Sequence, residues 1–124
     1  MNAMYIGTDI VEISRVQRLL ERYDKSLCRF IFTPSEWNYC YGKPTCASFA
    51  ACFAAKEAVA KALTTGFCQQ LGWLSIEVLH QPNGMPYVRL DERGQALLKR
   101  CVATQVHISL SHCKTYALAM AVIS

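Results

Sequence analysis

The chain has 124 residues, 52% of them hydrophobic and 18% charged, which is too apolar for a disordered segment and too short for two independent cores. A formal net charge of +4, without interleaved aromatics or a recognition motif, does not mark a nucleic-acid binder. Seven cysteines make no CxxC pair and come in an odd number without a recognisable secretory signal, which fits reduced thiols in a cytoplasm rather than a disulfide scaffold or a structural zinc site.

In chain order, "YIGTDIVEI" (residues 5 to 13) is rich in β-branched residues and reads as a strand. "SRVQRLLERY" then changes period. Val16, Leu19, Leu20 and Tyr23 fall on one helical face, Ser14 with Gln17 forms a capping-box start, and Arg15, Arg18 and Arg22 share the opposite stripe, with Lys25 close behind. That stripe reads as a solubilising face or as a dock for an acidic partner. "TPSEW" opens a short helix to about Tyr41, with Thr33 as cap, Pro34 first and Glu36 closing the box. Ser48 caps the longest helix, which runs to about Leu63 and stops in "TTGF", where Gly66 suits a left-handed position.

"WLSIEVLHQPNGMPYVRL" reads as two strands about a turn at "PNG". Asp91 caps a helix "ERGQALLKRC" that Gly94 weakens by up to about 1 kcal/mol. "VHISLSH" alternates strictly, with His107, Ser109 and Ser111 opposite Val106, Ile108 and Leu110, and "YALAMAVI" is apolar enough for a central strand. The order β, α, α, α, β, β, α, β, β argues one α+β domain over residues 1–124, a mainly antiparallel sheet packed against a long helix. No apolar run approaches the roughly 18 residues of a membrane span, and the apolar excess fits a surface buried against other copies of the chain.

The long helix carries an oddity, "FAAKEAVAKAL" (residues 53 to 63), which places Lys56, Glu57 and Lys61 among alanines and large apolar residues. Glu57 and Lys61 stand one turn apart in the favourable order for an exposed pair, worth about 0.2–0.5 kcal/mol. With so little other polarity nearby, at least one of the three charges is expected at a buried boundary, where it needs a partner. Asp9 lies inside an apolar strand and reads either as an edge residue or as a second carboxylate. With Glu57 it would suit a magnesium ion, which takes hard oxygen ligands and often only one or two carboxylates plus substrate phosphates. Lys61 would then offset phosphate charge, completing the parts of a phosphoryl-transfer site.

Five ordered segments, "IGTDIVEISRV", "FTPSEW", "FAACFAAKEAVAKALTTGF", "NGMPYV" and "HISLSHCKTYALAMAVI", together resemble the holo-acyl-carrier-protein synthase family of 4′-phosphopantetheinyl transferases. The resemblance spans nearly the whole chain. It implies the phosphopantetheinyl transferase fold and transfer of 4′-phosphopantetheine from coenzyme A to a serine of apo-acyl carrier protein in fatty-acid biosynthesis. Adenosine 3′,5′-bisphosphate is released and Mg2+ is required. It further implies a homotrimer with active sites at subunit interfaces.

By the same resemblance, Asp9 and Glu57 match the metal-binding acids and Lys61 the phosphate-contacting lysine, these three being the catalytic set. Thr65, Gly66 and Pro86 match positions near coenzyme A, and Ser111 and His112 match a segment that approaches the nucleotide from a neighbouring subunit. Arg15 and Arg22 match positions that dock the acidic carrier. The serine proton goes to Glu57 directly or through a metal-bound water. Two departures stand out: Cys52 where the family commonly has arginine, and Thr64 in place of a turn glycine, which stiffens or shifts the turn. Two rivals share these residues. A metal-assisted phosphohydrolase would release product without a carrier, and a basic oligomeric binding module would use Glu57 and Lys61 only as an exposed ion pair.

Overall fold

In the computed structural model, which describes residues 4–23, 28–66 and 68–124, the β-branched opening forms strand β1 (Tyr5–Glu12) and runs without a loop into helix α1 (Ile13–Arg22). The expected Ser14 cap is not used. Glu12 occupies the N-cap without a side-chain bond, Gln17 donates to Glu21 instead, and the start is set by Ile13, which is buried and donates its N–H to the Thr115 carbonyl. A buried apolar residue tied to the sheet overrides a capping signal one residue later. Lys25 lies outside the described residues.

Helix α2 (Pro34–Tyr41) begins as expected, with both halves of the Thr33–Glu36 capping box formed. Helix α3 (Ala47–Ala62) starts one residue before Ser48, with Cys46 at the N-cap. The first-turn N–H of Ala47 is met by the Thr45 hydroxyl instead. Residues Trp73–Ser75, expected as strand, form a single 3-10 turn. Strands β2 (Ile76–His80) and β3 (Pro86–Leu90) follow, closed by Gly84 at φ +90° and by Gly84 N–H donating to the Gln81 carbonyl. Asp91 caps helix α4 (Glu92–Arg100) through the Gly94 N–H at 2.9 Å. There Gly94 does more than weaken a helix, because a Cβ would stand 3.0 Å from Leu90 Cβ.

Strands β4 (Val106–His112) and β5 (Tyr116–Ile123) complete a three-stranded antiparallel sheet in the order β1-β5-β4, with β5 central. The hairpin β2-β3 is a separate two-stranded antiparallel sheet, with β3 beside β4. The expected single sheet is therefore two.

Period-two alternation sends Ala117, Ala119, Ala121 and Ile123 of β5 inward, all fully buried. Helix α3 lies across this face on its own buried alanines. Its approach to β1 is close: a Cβ on Gly7 would fall 2.0 Å from the Ala58 carbonyl oxygen and 2.7 Å from the Ala62 nitrogen. Only glycine permits that spacing. The opposite sheet face presents Ile6, Ile10, Leu118 and Met120 to solvent, with Ile10 paired to Leu118 and Met120 lying across from Ser109.

Candidate active site

Asp9 follows Gly7 on the inward side of β1, so the close approach of α3 places its carboxylate under the C-terminal half of that helix. There Lys61 Nζ stands 3.2 Å from Asp9 Oδ1 and donates to the Thr8 carbonyl at 3.0 Å. The pair is wet, with the lysine side chain 52% and the aspartate side chain 18% exposed. Glu57, one turn before Lys61, is half-buried. Burial first and the Asp9 charge second raise its carboxyl above the usual carboxylate range, against the opposing pull of Lys61 and Arg15. Asp9, Glu57 and Lys61 are thus brought together as expected, and Arg15 of α1 stands within electrostatic reach of them.

Two carboxylates that repel one another beside solvent fit a divalent cation, which would reverse the sign of their interaction. Among the described residues no three His, Cys, Asp or Glu side chains cluster. A metal held here would rest on Asp9 and Glu57 and take its remaining ligands from phosphate or water.

The other expected residues divide into two places. Thr65 and Gly66 lie just past α3, where Gly66 adopts φ +60° and its N–H reaches back to the Ala60 carbonyl at 3.0 Å. Thr64 takes φ +71°, so a threonine here holds a left-handed conformation at a cost of about 1–2 kcal/mol. Pro86 and His112 line a cavity of about 390 Å³ with Tyr39, Ser48 and His80. Ser111, one residue away on β4, points to the opposite, outward sheet face, paired with Leu118. Arg15 and Arg22 are both exposed on α1, and Arg22 lies over the Tyr23 ring at 5.7 Å.

Two features were not foreseen. His80 stacks on Tyr39 with ring centroids 3.8 Å apart, and Lys43 lies 4.5 Å from the Tyr39 centroid on the same stack. Burial, then Lys43, lowers the His80 pKa, and its buried Nδ1 has no hydrogen-bond partner among the described residues. The second is the partner of Lys56. Both Lys56 and Glu36 are sealed from solvent, and Lys56 Nζ lies 2.7 Å from Glu36 Oε1. The sequence signalled only that a charge in this helix needed a partner. Glu36 was legible as a capping residue, and nothing in the chain pointed it across to α3. Cys52 sits in the same network, its thiol 3.4 Å from Glu36 Oε2, where burial pushes it well up.

Residues 5–121 match the family model of the 4′-phosphopantetheinyl transferase superfamily. The chain belongs to that superfamily. Within it, the transferase is 40% identical over 123 residues, 98% of this chain and 92% of the relative, to a holo-acyl-carrier-protein synthase of Ruminiclostridium cellulolyticum. It is 46% identical over 121 residues, 96% and 97% of the two chains, to one of Dehalococcoides mccartyi. Among solved structures it is similar to the Helicobacter pylori holo-acyl-carrier-protein synthase in complex with coenzyme A, with a TM-score of 0.85, 31% identity and coverage of 96% of this chain and 99% of that one. The Neisseria meningitidis synthase gives 0.86 and 32%, covering 97% of each chain. The fold is the α+β fold of these synthases, and the chain is of the holo-acyl-carrier-protein synthase type.

Proposed function

We propose that the protein transfers 4′-phosphopantetheine from coenzyme A to a serine hydroxyl of apo-acyl carrier protein in fatty-acid biosynthesis, as a Mg2+-dependent enzyme of the cytoplasm. The observation that carries this is the meeting of Asp9, Glu57 and Lys61 at one solvent-open edge of α3, in a chain whose relatives are holo-acyl-carrier-protein synthases along nearly their whole length.

Asp9 and Glu57 would hold the metal. Bound there with the coenzyme A pyrophosphate, Mg2+ supplies neutralisation of the charge that develops on the leaving phosphate. Lys61, whose ammonium is half in solvent, adds a mobile positive charge for the same oxygens. The serine Oγ–phosphorus bond forms as the pyrophosphate P–O bond breaks, adenosine 3′,5′-bisphosphate leaves with the electron pair, and the serine proton is taken up at the Glu57 carboxylate.

Thr65 and Gly66 at the end of α3 and Pro86 at the hairpin cavity are coenzyme A contacts in this reading, with Ser111 and His112 reaching the nucleotide from a neighbouring subunit. Arg15 and Arg22 on the exposed face of α1 dock the acidic carrier. The protein is a homotrimer with its active sites at the interfaces. Supporting this are the apolar outward sheet face of Ile6, Ile10, Leu118 and Met120, exposed in the single subunit, and Ser111 on that same face, where a docking copy would meet it.

The test mixes purified protein, apo-acyl carrier protein and coenzyme A with Mg2+ or with EDTA and reads the carrier by intact mass spectrometry. A gain of one phosphopantetheine with Mg2+ and none with EDTA is expected. Absence of any gain, with a carrier that another transferase modifies, sinks the reading. Release of adenosine 3′,5′-bisphosphate without a carrier would favour the hydrolase.

A further inference from the structure

No hydrogen bond within the described residues grips the Glu57 carboxylate, whereas the residue before it is the most firmly held side chain in α3. Lys56 Nζ donates to Glu36 Oε1 at 2.7 Å, to the Trp73 carbonyl at 2.9 Å and to the Ile76 carbonyl at 2.8 Å. Its three donors are therefore all used. Glu36 is equally committed: Oε1 also accepts the Thr33 N–H at 2.8 Å, and Oε2 accepts the Val78 N–H at 2.8 Å and faces the Cys52 thiol. One ammonium thus joins α3 to the start of α2 and to both ends of the turn that leads into β2.

A sealed ion pair is a poor device for stability alone, since apolar residues of the same volume commonly do as well or better. Its distinctive property is direction. Three convergent acceptors from two other segments allow the Lys56 ammonium one position and so allow α3 one rotation about its axis. The Gly7 contact sets how near α3 lies to β1, and the buried apolar face of α3 holds the helix on the sheet; apolar packing is non-directional, whereas the hydrogen bonds of Lys56 carry a direction. Glu57 is the next residue on that helix, so its direction toward Asp9 is inherited from Lys56. A helix rotation of about 10° moves a carboxylate roughly 6 Å from the axis by about 1 Å, and a misplacement of that size at a reacting centre costs roughly 100-fold in rate.

We infer that Lys56, through its buried pair with Glu36, is a positioning residue for the transfer reaction, setting the rotation of α3 that aims Glu57 at Asp9. The inference rests on the proposed role of Glu57.

The test replaces both partners, Glu36→Gln with Lys56→Gln, so that no uncompensated charge stays buried. The amide oxygen introduced at position 36 can keep only one of the two backbone N–H bonds from Thr33 and Val78, and the amide introduced at position 56 can donate to the Trp73 and Ile76 carbonyls. Two readouts are taken. The orientation of α3 against β1 comes from amide residual dipolar couplings on the protein without substrate, and kcat and KM for coenzyme A come from carrier modification. The expected result is a folded protein with α3 reoriented, kcat at least tenfold lower and KM within threefold. Wild-type kcat in the folded variant, or a lowered kcat with α3 unmoved, overturns the inference. So does loss of the fold, because the pair would then be holding the domain together rather than aiming one residue. A wild-type protein that modifies no carrier sinks the transferase reading alone and leaves the orientation readout to judge whether Lys56 sets the helix.

Discussion

Lys56 and Lys61 stand five residues apart on one helix, each within 3.2 Å of a carboxylate, and their surroundings make them opposites. Lys56 is fully sealed with Glu36, and every donor it has is bound to protein. Lys61 is half exposed beside Asp9 and keeps donor capacity for an incoming group. The dry pair holds three segments in one arrangement, and the wet pair is free to exchange partners, which phosphate binding requires. Ion-pair chemistry is the same in both. Access to water decides whether a lysine works on the fold or on the substrate.

The sharpest way to break this contrast is to remove each ammonium singly. Lys56→Met leaves Glu36 charged and unpaired in a dry site, so a loss of about 3–5 kcal/mol is expected, read as a large fall in the denaturant midpoint. A midpoint near wild type would show that water reaches Glu36 and that the pair is not dry. Next in size, Gly7→Ala forces a methyl against the Ala58 carbonyl and is expected to cost about 1–3 kcal/mol while also lowering transfer, since it pushes α3 from β1. Retained activity would detach the site from that approach.

Thr64→Gly removes the strain of φ +71° and should stabilise by about 1 kcal/mol, seen as a raised melting temperature. Lys61→Met is expected to change stability by less than about 1 kcal/mol and to lower carrier modification sharply. A matching loss of stability would erase the distinction between the two lysines.

The smallest effect concerns Glu57. Its pKa is raised in the folded state, so the folded protein holds that proton to higher pH than the unfolded chain does. Stability is therefore lost as pH rises from the ordinary glutamate range through the raised value. Without metal, Glu57→Gln should melt slightly higher than wild type at neutral pH, and the difference should vanish in acid, below the ordinary glutamate pKa. An equal difference at both pH values would mean that the charge of Glu57 is not under pressure.

Much of the site was legible in the chain because it rests on local rules. Helical spacing stacks Glu57 and Lys61 on one line, period two turns Asp9 the same way as Gly7, and the capping box, the Asp91 cap and the left-handed Gly66 all formed where residue type dictated. The failures were local signals outvoted by distant neighbours. Ser14 lost its cap to a buried Ile13, and "WLS" turned instead of extending, with its Trp73 carbonyl bonded by Lys56.

By itself, then, the sequence determined the order of elements, the family and which polar residues share a helix face, because those depend on spacing along the chain. Only the tertiary structure decided which lysine is dry, which glutamate answers it, and that Thr64 must adopt a glycine's conformation. Burial and partnership are set by segments far apart in sequence, and no spacing rule carries that information.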